Sequence, residues 1–115
     1  MNNFSGLRDK WYSAYVEGNT FLLKSYESPE LTVTINGELE MGDRYSEIEA
    51  KVNSGAWFQP KLERQEKYNK TDDGYVVDGV ARIIEGKLVG KELTYSEFWR
   101  NEGGSYRITQ LSINA

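Results

Sequence analysis

The last third of the chain constrains the fold more than any other stretch. Thr94-Tyr95-Ser96-Glu97-Phe98-Trp99-Arg100 alternates large rings with polar side chains, crosses Asn101-Glu102-Gly103-Gly104-Ser105 and resumes at Tyr106-Arg107-Ile108. Alternation with period two marks a half-buried strand, and paired glycines supply the positive φ angles that a tight reversal needs. The end of the chain therefore reads as a β-hairpin. From Leu62 the same pattern holds, with Leu62, Arg64, Glu66 and Tyr68 on one face. Thr71-Asp72-Asp73-Gly74 turns the chain, Tyr75 to Ile84 returns, Glu85-Gly86-Lys87 turns it again, and a fourth strand runs from about Val89 to Arg100. The final strand reaches Ile113, and its apolar parity slips between Ile108 and Leu111, which predicts a bulge.

Upstream the periodicity is helical. Ser5 can cap a helix over roughly 6–17 whose apolar positions Leu7, Trp11, Ala14 and Tyr15 fall three and four apart, and Gly18 stops it. Asn19 or Thr20 caps a short second helix, which must end near Tyr26 because Pro29 disfavours helix just before it. Leu31 to Ile35 is a β-branched strand closed by an Asn36-Gly37 turn. Gly42-Asp43 opens a third helix to about Val52, with Tyr45, Ile48 and Val52 on one stripe and Asn53-Ser54-Gly55 as its stop. The order is ααβαββββ, and helices followed by an antiparallel meander give one α+β domain over residues 1–115.

Composition excludes several chemistries. The chain has no cysteine and no histidine, so thiolate nucleophiles, iron–sulfur and cysteine–zinc sites and the usual neutral-pH base are all missing. Any reaction must use carboxylates, Tyr, Lys or Arg. With a net charge of −4 and no basic run longer than two, a phosphate backbone has nothing to hold it, and no nucleic-acid partner is expected. Residues 1–20 contain Arg8, Asp9, Lys10 and Glu17 and no apolar stretch, so neither a signal peptide nor a membrane span is expected and the cytoplasm is the default location. Asp72-Asp73 lacks the further oxygen ligands of a calcium loop. No metal or cofactor is expected.

Together with Trp11-x-x-Ala14-x-x-x-Gly18, the terminal hairpin resembles the nuclear transport factor 2-like superfamily, in particular its small SnoaL-like and DUF4440-type bacterial members. The resemblance covers nearly the whole chain. It implies a cystatin-like cone, a strongly curved antiparallel sheet wrapped around the first helix, with a pocket inside. In the ketosteroid isomerases of this superfamily a strand carboxylate is the base, and a helix tyrosine and a protonated aspartate form the oxyanion hole. At those positions this chain has Thr34, Trp11 and Tyr95, so isomerase chemistry is not expected. The histidines of scytalone dehydratase-type sites are missing, and the Asp-Arg-Asp set of limonene epoxide hydrolases has no counterpart.

The cone implied by the resemblance places Trp11, Tyr15, Tyr26, Trp57, Tyr95, Glu97 and Trp99 on its concave side. These rings either fill it as core or line a ligand pocket, for which Tyr and Trp offer a flat apolar face plus one donor. Glu97 is the candidate catalytic residue. Alternation puts it on the face of Leu93, Tyr95 and Trp99, where burial would raise its pKa or bring it an arginine partner such as Arg64. Asp78 lies on the opposite parity, and Arg82 could pair across strands. Lys61 to Lys70 alternates in sign and reads as a solvated strand surface.

Three functions follow from this reading. One is a non-enzymatic pocket protein that binds a small apolar or aromatic molecule as a homodimer, paired through the convex face at Ser96, Phe98, Gln110 and Ser112. Another is a SnoaL-like enzyme with Glu97 as acid or base and Tyr95 or Tyr15 orienting the substrate. The third is an interaction or immunity module with a filled pocket and an acidic surface for a protein partner.

Overall fold

Gly18 ends the first helix, α1 (Phe4–Glu17), by taking φ +70°, and it also admits close packing. A Cβ there would stand 2.5 Å from Val52 Cγ2 and 2.9 Å from Trp57 Cδ1. The computed structural model describes residues 4–57 and 59–115. Ser5 lies inside α1, so the helix starts earlier than a cap at that position would allow. Asn19 caps α2 (Thr20–Tyr26) through a bond from the Leu22 amide, and the chain leaves directly into β1 (Glu27–Ile35). This strand begins before Leu31. Pro29, which has no N–H to donate, falls between the Glu27 and Thr32 pairings.

Asn36 and Gly37 both take positive φ, 53° and 82°, and fold the chain into a two-residue strand, β2 (Glu38–Leu39), which the sequence reading lacked. The observed order is therefore ααββαββββ. Asp43 caps α3 (Arg44–Ser54) by accepting from the amides of Tyr45 and Ser46. Its stripe is narrower than expected, since Ile48 is buried and Val52 is exposed.

The meander follows as β3 (Leu62–Lys70), β4 (Gly74–Ile83), β5 (Glu92–Glu102) and β6 (Ser105–Asn114). Across the sheet the order is β2-β1-β6-β5-β4-β3, antiparallel except where β1 runs parallel to β6. The expected bulge is present. Trp99 pairs with Ile108 and Phe98 with Gln110, so Thr109 is the extra residue, and Ile108 and Leu111 both stay inward.

Because alternate residues share a face, the registers stack inward-facing side chains into rows across the strands. Tyr68, Val77, Glu97 and Leu111 form one row. Glu66, Gly79, Tyr95 and Ile113 form the next. Helix α1 lies against these rows, and its rings lock into theirs. Phe4 stacks on Tyr75 at 4.2 Å between centroids, and Trp11 meets Trp99 edge-on at 5.5 Å. Among the described residues no helix is long and apolar enough to cross a membrane.

Candidate functional site

The α1 stripe that buries Phe4 and Trp11 also carries Arg8, which is 1 % exposed. A guanidinium removed from water is costly unless its donors are matched. Here they are. Arg8 Nε and Nη2 each donate to one oxygen of Glu97 at 2.6 Å, and Nη2 and Nη1 donate to Glu66 at 2.7 and 3.0 Å. Nη1 also reaches the Tyr68 hydroxyl at 3.2 Å. Burial opposes the charge on Arg8, but the hydrogen bonds and charges of Glu97 and then Glu66 outweigh it and raise its pKa. The arginine stays charged.

Glu97, 2 % exposed, also accepts the Trp99 indole N–H at 2.9 Å. Its partner is therefore Arg8 on the helix rather than Arg64. Glu66 is bonded by the Tyr95 hydroxyl as well, and this contact depends on a gap in the sheet. Gly79 pairs with Glu66 on one side and Tyr95 on the other, and a Cβ there would stand 2.2 Å from the Tyr95 ring. The missing side chain lets the ring lie across β4 and reach β3. Burial pushes the Glu66 carboxyl up, yet the Tyr95 and Arg8 hydrogen bonds and the charges of Arg8 and Arg64 bring it below the ordinary glutamate range. Burial and the Glu66 carboxylate raise the Tyr95 phenol.

A second ionic centre ties three elements together at the start of β1. Glu27 accepts from Trp11 Nε1 at 2.9 Å, from Arg44 Nε and Nη2 at 3.1 and 3.0 Å, and from the Tyr45 hydroxyl at 2.8 Å. Every oxygen is matched. Trp11 thus spends its one N–H inside the protein, and burial together with Glu27 raises the Tyr45 pKa.

Above the Arg8 network lies a cleft of about 120 Å³ between α1, β3 and β5. Four of the seven expected residues line it: Trp11, Tyr15, Tyr95 and Glu97. Tyr12, Gln59, Leu62, Arg64 and Leu93 complete its walls, over a floor of Leu111 and Ile113. Trp57 lines a neighbouring hollow of about 200 Å³ between α3 and the β1 and β6 strands, and donates its N–H to the Tyr15 carbonyl at 3.0 Å. Both hollows meet at Tyr15.

Trp99 is buried behind the cleft against Phe4 and Trp11. Tyr26 borders a shallow hollow outside the cone, beside Asp9 and Glu17, because α2 packs on the outer side of α1. Thr34 is also outside the cleft. The β1 parity that turns Leu31, Val33 and Ile35 inward gives Thr34 to the convex face, where its hydroxyl bonds Ser112 at 3.1 Å. Asp78 accepts from Ser96 on that same face, and Arg82 pairs with Glu63 at 3.1 Å.

Arg8, Glu66, Glu27 and Arg44 were missed as site residues. Reading Lys61 to Lys70 as solvated is corrected on one face, where Leu62, Arg64 and Glu66 are half-buried and the largely exposed Tyr68 still accepts from Arg8, while Glu63, Gln65 and Lys67 stay in water. A signal was available for two of them. Phe4, Arg8, Trp11 and Tyr15 follow one helical stripe at spacings of four, three and four, and Glu66 has the parity of Leu62. Among the described residues no three His, Cys, Asp or Glu side chains gather to hold a metal ion.

No protein-family model matches the chain, and no curated protein matches its sequence. Solved structures do resemble it. An NTF2-like protein from Cytophaga hutchinsonii is similar with a TM-score of 0.77 and 18% identity over 100% of this chain and 99% of that one. An NTF2-like protein of unknown function in nutrient uptake from Rhodospirillum rubrum gives 0.74 and 15% over 99% and 98%. A protein from Shewanella frigidimarina, assigned provisionally as a ketosteroid isomerase, gives 0.69 and 13% over 94% and 91%. Identities this low carry the fold and leave function open. The chain has the nuclear transport factor 2-like fold.

Proposed function

We propose that the protein is a non-enzymatic receptor for a small, flat, largely apolar molecule, held in the cleft between α1, β3 and β5. The observation that carries this reading is the division of labour in the cone. Its carboxylates are bonded to protein groups, while rings and aliphatic side chains form the walls of the open space. A base must have a lone pair aimed at the substrate proton. Glu97 instead accepts three hydrogen bonds from Arg8 and Trp99, and the Tyr95 hydroxyl points at Glu66.

Size sets the ligand class. An apolar cavity near 150 Å³ holds benzene, so a cleft of about 120 Å³, open on one side, suits a single ring. The receptor is a homodimer in this reading, paired through the convex sheet face where Phe98 and Val80 are 38 % and 47 % exposed. Native mass spectrometry of the protein as purified tests both parts, since it reports the dimer mass and any retained small molecule. Thermal-shift titration with single-ring aromatics is the companion experiment. A melting temperature unmoved by every ring at millimolar concentration would overturn the receptor reading.

A further inference from the structure

Four ionic side chains line or underlie the cleft, and three of them are tightly bonded to one another. Arg8, Glu66 and Glu97 are joined at 2.6 to 3.0 Å. Arg64 differs. Its only side-chain hydrogen bond among the described residues is from Nη1 to Glu66 at 3.5 Å, the limit of such a contact, and its side chain is 27 % exposed. The guanidinium is nonetheless fixed in place, lying over the Tyr12 ring at 4.0 Å from the centroid. The cleft thus presents a held cation with most of its five donors open, beside an apolar single-ring space.

We infer that the ligand is a single-ring aromatic carboxylate, with Arg64 as its anchor; the inference rests on the receptor reading above. A planar fork of donors matches a carboxylate with two parallel hydrogen bonds, which a neutral oxygen cannot reproduce. Charge does not favour a cation. Arg8 and Arg64 balance Glu66 and Glu97 two against two, and both carboxylates already accept from protein donors, so a cationic ligand would find no unpaired carboxylate beside Arg64. Gln59 makes no hydrogen bond among the described residues and stands at the same wall as a further donor.

Benzoate and benzamide are near-equal in shape and differ in charge, so their titration into the full chain by calorimetry reads the anchor directly. Benzoate should bind at least about tenfold more tightly, as expected for hydrogen bonds to a charged group. Added salt should weaken benzoate and leave benzamide unchanged. In Arg64→Gln the two should bind alike, with benzamide affinity retained, and Arg64→Lys should restore part of the preference because it keeps the charge without the fork. Equal binding in the wild type, or a preference that survives Arg64→Gln, overturns the carboxylate assignment and leaves the receptor reading standing. Absence of binding by both compounds overturns the carboxylate assignment, and the receptor reading falls with it only if the melting temperature is also unmoved by every other ring.

Discussion

Arg8 on the first helix and Glu97 on the fifth strand, 89 residues apart, are joined by two hydrogen bonds of 2.6 Å, one to each carboxylate oxygen. The pair is buried at the base of the cleft, with Arg8 1 % and Glu97 2 % exposed, and each charge there is met by the other. Its energetic role is conditional. Burying two ions costs more than their attraction returns unless the geometry is good, but removing one partner strands the other.

Arg8→Met should therefore destabilise the protein by about 3–5 kcal/mol, since it leaves Glu97 and Glu66 without their common cation. The single change Glu97→Gln should cost less, because Glu66 still holds Arg8. The double variant Arg8→Met with Glu97→Gln should be more stable than Arg8→Met alone. Urea denaturation of the three proteins measures this directly. Additive losses would mean that the pair is not a unit.

Stability should fall at both ends of the pH scale through two bonded groups, Glu66 and Tyr95. The Glu66 carboxyl is depressed in the folded state, so its contribution is present above the unfolded value near 4.3 and is lost as pH falls through the lower folded value. Tyr95 has the opposite sign. Its folded pKa is raised, so its contribution is complete below about pH 10 and is lost as pH rises above that. Melting temperatures against pH should show both flanks, with Glu66→Gln flattening the acid flank and Tyr95→Phe the alkaline one.

Turns, caps and the bulge were legible because each is a local event with its own residue chemistry: Gly18 and Gly55 at helix ends, Asn36-Gly37 in the hairpin, the parity slip that becomes Thr109. The ionic floor was not. Arg8 and Glu66 lie 58 residues apart, and each alone has the appearance of a solvated charge. Only the register that sets Glu66 beside Gly79 and Tyr95 reveals that these charges share a buried face. Tyr26 and Thr34 were misplaced for a related reason, since the side of α1 that α2 packs on and the parity of β1 are both set by tertiary packing.

Gly79→Ala tests the cross-strand row. The added methyl would meet the Tyr95 ring at 2.2 to 2.5 Å, so the ring must lift and lose its bond to Glu66. Overpacking of this kind costs about 1–3 kcal/mol. In Gly79→Ala the alkaline flank assigned to Tyr95 should also weaken, which a simple core strain would not cause. Denaturation at pH 7 and pH 10.5 distinguishes the two.

Phe98 gives a test of the proposed dimer. It stands 38 % exposed on the convex face between Val76 and Gln110, on the same face as exposed Val80, and an apolar group of this kind is buried only if another surface covers it. Sedimentation should show a dimer at micromolar concentration, and Phe98→Glu should shift it to monomer with little change in far-UV circular dichroism. A monomeric wild type removes the proposal.

Tyr15 lines both the cleft and the larger hollow beside it. Its ring is near-parallel to Trp11 at 6.1 Å, perpendicular to Trp57 at 5.4 Å, and carries the Arg44 guanidinium at 5.6 Å. The cleft and the larger hollow share this ring and the Leu111 and Ile113 floor beneath it. Tyr15→Ala should open a continuous groove along the concave sheet, at about 2–3 kcal/mol, less than the ~3–5 kcal/mol of a fully buried ring. The consequence for binding has a direction: a two-ring acid such as 2-naphthoate should gain at least about tenfold relative to benzoate, because the second ring buries further apolar area. Tyr15→Phe keeps the ring and should leave the ratio unchanged. If Tyr15→Ala shifts stability but not the ratio of the two affinities, the ring is a packing residue and the hollows are not joined through it.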